Sequence, residues 1–284
     1  MKDTPQRKQN PMVQELLELN ERHSKEFVSS QRSRQIYRVK HPTEIAVMKC
    51  MDGRVHVPVM TKTPFGIFQP WRNIGGQFDL GWPHFKETIK EWARYSVSRA
   101  RQSVVLTTYH FARGFEGEDA EVVKKRGCAG HNYDTPKAIA DSFELKKQFD
   151  RVYKNDRLYA IQCGIETDLD ALILHGENGE VVDLAKQTFD GTSEVVEMLV
   201  RIYPHIPLEV IYDLVPLVEG NIQHIAEVRE SNRPLADSEH RERVLAAGGG
   251  FDWFHQPNLA LILGPYDPEL KANIIKAASI LQSN

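Results

Sequence analysis

Three residues able to do metal and charge chemistry stand together early in the chain. Cys50, Asp52 and Arg54 alternate directly after the apolar run 45–48 (IAVM), which predicts a buried strand. In open α/β sheets, sites are built where strands end. A thiolate is a zinc ligand, a carboxylate accepts hydrogen bonds or ligates a metal, and an arginine can hold that carboxylate in one orientation. The segment 50–54 therefore predicts part of a metal site.

Two residues further along the chain complete a candidate zinc site. Catalytic zinc usually takes three protein ligands and leaves one position open. His110 directly follows the run 103–109 (SVVLTTY), a second predicted buried strand, and Cys128 lies in a glycine-flanked segment where backbones can approach closely. Cys50, His110 and Cys128 form a Cys2His set, which favours zinc. Because Cys128 and His131 also have the spacing of ligands, His131 stays open as a replacement for His110, although the preceding strand favours His110.

The third cysteine differs from the other two in its surroundings. Cys163 ends the apolar run 158–162 (LYAIQ), so we expect it in the core. Three cysteines cannot all pair within one chain, which is typical of a reducing compartment where thiols are kept for packing or for metal. We therefore expect a cytoplasmic protein.

Composition limits the classes of partner. Hydrophobic residues make up 41% of the 284 residues, charged residues 26%, and the net charge is −3, an ordinary globular balance. No basic excess indicates nucleic acid or an anionic membrane, and no apolar run approaches the roughly 20 residues of a membrane span. The first ten residues are polar with no apolar segment behind them, so we expect no secretory signal. We therefore expect neither nucleic acid nor a membrane as partner.

Hydrophobic patterning predicts the elements that must position these side chains. Further strands are expected at 158–163 and 171–175, a strand closing in a glycine turn at 67–76, an extended piece at 55–60, and helices at 84–101 and 135–149. The alternation of strands and helices predicts an α/β fold with a mostly parallel β-sheet core flanked by helices. Within it, Glu166, Asp168 and Asp170 alternate, which indicates either a cation site or a solvated strand face.

The remaining segments suggest three regions. We predict a helical N-terminal arm (1–40), a zinc-binding catalytic core (41–190) and a mainly helical C-terminal extension with one or two strands (191–284). In that extension helices are expected at 193–203, 208–217, 221–229 and 268–281, and strands at 243–247 and 259–263. The apolar stripe of residues 12–34 either packs on its own domain or crosses to a second subunit. We expect at least a homodimer.

The motif Cys50-Met51-Asp52-Gly53-Arg54 resembles the first zinc-ligand motif of the β-class carbonic anhydrases. The segment 72–75 (RNIG) is similar to the turn that follows that motif in the family, and the run 104–106 (VVL) before His110 is similar to the strand before the family's zinc-binding histidine. In that family the third ligand, a cysteine, usually comes three residues after the histidine, whereas Cys128 comes 18 residues after His110.

A divergent branch, the carboxysomal shell carbonic anhydrases, is closer in pattern. It resembles this chain in a longer insertion between histidine and cysteine, in an acidic segment like 164–171, and in a strand that ends in histidine, as 173–175 does. The resemblance covers about residues 44–185.

The resemblance implies a zinc-dependent carbonic anhydrase that hydrates CO2 reversibly to bicarbonate, with Zn2+ on Cys50, His110 and Cys128. Asp52 would accept a hydrogen bond from the nucleophile, and Arg54 would pair with Asp52 and keep it off the metal; in the family the aspartate can instead ligate zinc and close the site. Two alternatives stay open. One is a carbonyl sulfide or carbon disulfide hydrolase on the same site, and the other is a non-catalytic relic of the fold acting as scaffold or sensor.

Overall fold

The computed structural model of the chain describes most of residues 27–231 and parts of both ends. The described residues are 14, 17–18, 21–22, 25, 27–114, 120–153, 157–231, 243–246, 252–256 and 259–263. The chain divides into two units: one comprises residues 32–51 and 55–240, and the other comprises 1–31, 52–54 and 241–284. The candidate metal ligands all belong to the first unit.

The first unit alternates strands and helices along the chain, as the hydrophobic pattern predicts. Its strands are β1 (Glu44–Cys50), β2 (Gln69–Asn73), β3 (Ser103–Phe111), β4 (Leu158–Glu166), β5 (Ala171–His175) and β6 (Val181–Asp183). Its α-helices are α1 (Gln31–Lys40), α2 (Val57–Met60), α3 (Pro83–Ser98), α4 (Ala120–Val123), α5 (Thr135–Val152), α6 (Thr192–Ile202) and α7 (Leu208–Glu230). Short 3-10 helices lie at Ile74–Gly76, Ala129–His131 and Leu184–Lys186.

The six strands form one sheet in the order β2-β1-β3-β4-β5-β6. The first four strands are parallel, and β5 and β6 are added antiparallel at one edge. The central strands are buried on both faces because they consist of apolar and β-branched residues that suit a sheet covered by helices. This architecture confirms the predicted α/β class with a mostly parallel core.

Two hydrophobic cores lie on the two faces of this sheet. On β1, Ile45 and Val47 join the core that contains residues of α6 and α7, whereas Ala46 and Met48 join the core with residues of α3 and α5. This alternation follows from the two-residue period of a strand. The site-bearing end of β1 is therefore fixed from both sides, and its last residue is Cys50.

Two sequence predictions about local structure were wrong. The segment 55–60 is not extended: it forms the one-turn helix α2, because Pro58 has the backbone angle that a first helical turn requires and Met60 N donates to His56 O at 3.1 Å. The predicted helices 208–217 and 221–229 form a single helix, α7. It continues through Gly220, where the helix packs so closely on Thr61 that an added Cβ would lie 2.0 Å from Thr61 O.

The described part of the second unit includes a three-stranded sheet. Its strands are β7 (Arg243–Ala246), β8 (Asp252–Gln256) and β9 (Leu259–Leu263), in the order β7-β9-β8. The sequence predicted β7 and β9 but not β8. The predicted helix 268–281 lies outside the described residues. No helix in the described part of the chain is long and apolar enough to cross a membrane.

Candidate metal centre

Two candidate ligands lie at the same end of adjacent parallel strands. Cys50 is the last residue of β1, and His110 is the penultimate residue of β3, which extends one residue past the histidine. The two strands pair directly, with Met48 opposite Thr107. Because parallel strands end at the same edge of a sheet, the two side chains come together there.

A closed loop returns the chain from His110 to Cys128. Phe111, which follows the histidine, pairs with Gly127, which precedes the cysteine, in an isolated antiparallel bridge. Beside this bridge, Ala112 N donates to Arg126 O at 2.8 Å. The loop from Phe111 to Gly127 therefore begins and ends at the same place. The 18-residue separation therefore does not keep His110 and Cys128 apart.

Glycine packing holds the Cys128 segment against the loop that follows β2. A Cβ at Gly130 would lie 2.4 Å from Gly75 N, closer than side chains tolerate, so only glycine allows this approach. Gln77 Nε2 also donates to Gly130 O at 2.7 Å. These contacts fix Cys128 beside the end of β1.

The three candidate ligand atoms converge in a buried cluster. The sulfur or nitrogen atoms of Cys50, His110 and Cys128 lie within 4.8 Å of one another, and these residues are 6%, 3% and 2% exposed. The two sulfurs are 3.7 Å apart, far beyond a disulfide bond of about 2.05 Å. Two thiolates bound tetrahedrally to one zinc at about 2.3 Å each would be about 3.8 Å apart. The spacing therefore fits a shared metal ion.

Burial disfavours charged side chains in and beside the cluster. Hydrogen bonding with Cys128 and then burial raise the pKa of Cys50 well above its usual range, and the neighbouring His110 acts in the opposite direction. Burial lowers the pKa of Arg72 to about 8, while the Cys50 thiolate acts to raise it. Thiols must lose their protons to bind a metal ion, and the positive charge of a bound ion lowers their pKa. A soft divalent metal ion would therefore compensate the burial of two thiolates here.

Asp52 and Arg54 form an ion pair, as the sequence predicted. Arg54 donates from Nη2 to Asp52 Oδ2 at 2.6 Å and from Nε to both carboxylate oxygens at 3.1 and 3.2 Å. The Arg54 backbone N–H adds a bond to Oδ1 at 2.8 Å. Asp52 is only 5% exposed. The carboxylate is thus held in one orientation by a fork of donors.

His131, the alternative ligand, is engaged elsewhere. Its Nε2 lies 3.2 Å from Asp141 Oδ2, and its ring packs against Gly75. Burial lowers the pKa of His131, an effect that Asp141 opposes. Among the described residues, the cluster able to hold a metal contains His110 and not His131. This geometry favours His110 as the ligand.

The remaining candidates lie away from the cluster. Cys163 is buried in β4, where burial raises its pKa to about 12, and it packs in the hydrophobic core as expected. Glu166, Asp168 and Asp170 do not form a solvated strand face. Glu166 ends β4, the other two lie in the turn before β5, and all three are buried.

Sequence reasoning missed the contacts of this acidic turn. Asp168 accepts hydrogen bonds from the backbone N–H groups of Arg113 and Gly114, directly after the candidate ligand strand. An aspartate in a tight turn is a known acceptor for backbone donors, so its residue type was a signal. Its partners, more than 50 residues away, could not be read from local pattern.

Comparison with known proteins gives one structural likeness to report. A search of solved structures finds the β-carbonic anhydrase CcaA at 16% identity, over 63% of this chain and 94% of that chain, with a TM-score of 0.41. No protein-family model matches the chain, and no curated protein matches it. A likeness at this TM-score establishes neither family membership nor activity. The function is therefore inferred from the side chains of the site.

Proposed function

We propose that the chain is a zinc-dependent carbonic anhydrase of the β type, which converts CO2 and water reversibly to bicarbonate. One observation carries this proposal: the buried convergence of Cys50, His110 and Cys128, with their ligand atoms within 4.8 Å and the two sulfurs 3.7 Å apart. Three ligands of this kind match a catalytic zinc site, which keeps one position open.

The ligand set decides which metal fits and what it contributes. Two thiolates and an imidazole favour zinc over harder ions such as magnesium or calcium. Held by these three residues, zinc would supply Lewis acidity, which lowers the pKa of water toward neutral pH. The burial of all three side chains excludes competing solvent from the ligand positions.

Asp52 is the proposed acceptor that orients the nucleophile. It follows Cys50 by two residues, and its carboxylate is fixed by Arg54 through side-chain and backbone donors. An oriented carboxylate can accept a hydrogen bond from the nucleophile, so that a lone pair of the nucleophile faces the carbon of CO2. Arg54 holds Asp52 in that role and keeps it from ligating the metal.

The alternatives share this site or retain only its scaffold. A hydrolase acting on carbonyl sulfide or carbon disulfide would use the same ligands and the same acceptor. A non-catalytic relic would not require the Asp52–Arg54 ion pair, whose four hydrogen bonds are all present. The pair therefore favours a catalytic protein.

The proposal extends to assembly and place. We propose a homodimer or higher homo-oligomer. We also propose a cytoplasmic location, where the thiols stay reduced. Among the β-class enzymes, we propose that the carboxysomal shell carbonic anhydrases are the most similar branch. The three regions 1–40, 41–190 and 191–284 remain the proposed domain organisation. The mass of the intact chain by light scattering tests the assembly.

The decisive assay is CO2 hydration followed by stopped flow with a pH indicator. Zinc-loaded parent protein should accelerate hydration, Cys128→Ser should abolish the acceleration, and Cys163→Ser should keep it because Cys163 is a core residue in β4. Parallel assays with carbonyl sulfide and carbon disulfide separate the first alternative. Zinc-loaded parent protein that turns over none of the three substrates would leave only the relic.

A further inference from the structure

The turn between β4 and β5 holds the base of the loop that joins two candidate ligands. Asp168 Oδ2 accepts hydrogen bonds from Arg113 N and Gly114 N, each at 2.8 Å. Next to it, Thr167 N donates to Phe111 O at 2.9 Å. The turn thus contacts the chain one to four residues after His110, where β3 ends and the loop begins.

The Asp168 carboxylate is well placed to fix this backbone. Asp168 is 8% exposed, so its bonds are made largely out of water, and a carboxylate is a stronger acceptor than a neutral group. The Arg113 side chain adds an ion pair to Asp183 at the end of β6. The exit of β3 is therefore held through both its backbone and a side chain.

The turn is itself anchored on the opposite side. Glu166 accepts from Asp168 N at 2.7 Å, so the start of the turn is fixed by the end of β4. Asp170 Oδ2 lies 2.9 Å from His224 Nε2, and Asn221 Nδ2 donates to Asp170 O at 2.8 Å. Both partners belong to helix α7. The turn therefore connects a long C-terminal helix to the base of the loop.

The consequence concerns the spacing of the metal ligands. His110 lies directly before the bridge between Phe111 and Gly127, and Cys128 lies directly after it. Any shift of the backbone after β3 would move this bridge and would change the distance between His110 and Cys128. Ligands are held within tenths of an ångström in metal sites, so their supports affect affinity.

We propose that Asp168 is a positioning residue of the metal centre. Its carboxylate holds the backbone just after β3 and so sets the distance between His110 and Cys128. This inference rests on the proposed zinc site. It also gives the turn 167–170 and helix α7 a role in the site, although neither supplies a ligand.

The test measures zinc affinity and metal geometry in the full-length Asp168→Ala variant. Competition with a chromophoric chelator should show affinity reduced by about 10-fold, the lower end of the effect of losing a partner bonded directly to a ligand, because Asp168 acts through the backbone. With Co2+ in place of zinc, the thiolate and d–d absorption bands should change. The matched control is Asn178→Ala, which removes a side chain that accepts Glu180 N at 2.9 Å in the turn between β5 and β6. It should retain parent affinity and spectrum.

The outcomes separate this inference from the proposed function. If the parent protein binds no zinc, the proposed zinc site itself is wrong. Parent protein that binds zinc, together with an Asp168→Ala variant of equal affinity and unchanged Co2+ spectrum, would overturn the positioning role alone. A merely structural role would lower the free energy of unfolding and leave both metal readouts unchanged. Should Asp168→Ala fail to fold, Asp168→Asn decides: it keeps an oxygen acceptor without the charge, and we expect an intermediate affinity, whereas parent affinity and spectrum would overturn the proposal.

Discussion

Cys50, His110 and Cys128 reach one point for three different local reasons. Cys50 ends a strand buried on both faces, and His110 stands near the end of the adjacent parallel strand. Cys128 is brought there by a bridge and by the close approach of Gly130 to another loop. The first two placements follow from strand patterning in the sequence. The third depends on contacts between distant segments.

The ion pair beside Cys50 predicts a separation of metal binding from catalysis. Asp52→Asn keeps the size of the side chain but removes the anionic acceptor, so zinc content should be unchanged while CO2 hydration falls by a factor on the order of 10² or more. Arg54→Ala should also keep zinc and lose activity, because it releases Asp52 to reach the metal. Elemental analysis and stopped-flow hydration measure the two effects. Parent rates in both variants would mean that the pair only stabilises the turn after β1.

The two histidines near Cys128 predict opposite effects on metal content. His110→Ala removes a member of the converging cluster and should abolish stoichiometric zinc. His131→Ala removes a ring that contacts Asp141 and Gly75, so zinc content should stay near that of the parent. Zinc measured in both purified variants decides the matter. Loss of metal only in His131→Ala would transfer the site to the Cys128 and His131 pair.

At the scale of elements, the strands were easier to predict than the connections. The parallel strands β1, β3 and β4 were recognisable because strands buried on both faces read as apolar, β-branched runs, and the antiparallel strand β5 is a short buried apolar run of the same kind. The bridge that closes the loop after His110 was not, since Phe111 and Gly127 carry no local signal of pairing. The one-turn helix α2 was missed because its few apolar residues suit a strand equally well. Pro58 was the available clue.

The close contact between Gly130 and Gly75 predicts that a substitution outside the ligands lowers zinc affinity. In Gly130→Ala the new Cβ would meet Gly75 N at 2.4 Å, so the Cys128 segment must shift. We expect zinc affinity to fall about 10-fold and the free energy of unfolding to fall by about 1–3 kcal/mol. Gly191→Ala is the control, because nothing lies within 4 Å of its added Cβ. Equal zinc affinity in both variants, measured by chelator competition, would contradict this packing.

At the scale of the whole molecule, a buried carboxylate links the sheet to its acidic turn. Glu166 is fully buried at the end of β4, and it accepts backbone bonds from Asp168 and Leu169. Burial is the main cause that raises the pKa of Glu166 from its ordinary 4.5 to about 7; the backbone hydrogen bond from Asp168 opposes this rise, and the negative charge of Asp168 adds to it. The folded state therefore holds this proton more tightly than the unfolded chain does.

This raised pKa predicts a pH-dependent stability. The contribution of Glu166 is fully present below about pH 4.5 and is lost as pH rises through about 7, because the unfolded chain ionises first. Relative to Glu166→Gln, the parent should lose stability on the order of 1–3 kcal/mol between about pH 5 and about pH 8. Urea unfolding at the two pH values measures it. The control is Glu197→Gln at an exposed position of α6, which should show the parent's pH dependence. A constant difference between parent and Glu166→Gln would contradict the prediction.

The fold class was predictable at the scale of the molecule, whereas the C-terminal part was predictable only in pieces. Alternating strands and helices fix an α/β sheet, and the sheet edge then places Cys50 near His110. Helix α7 was predicted as two helices, 208–217 and 221–229, and glycine, such as Gly220 between them, is a weak helix former. In the structure Gly220 packs directly against Thr61, which lies far away in sequence. Long-range packing of this kind leaves no local pattern.

The most direct test of the account is the zinc content of purified protein, measured by elemental analysis without chelator, in the parent and three cysteine variants. The parent should contain about one zinc per chain. Cys50→Ser and Cys128→Ser should each lose it, whereas Cys163→Ser should keep it, because that thiol packs in the core of β4. A parent without zinc, or zinc lost from Cys163→Ser and kept in Cys128→Ser, would contradict the proposed Cys2His centre.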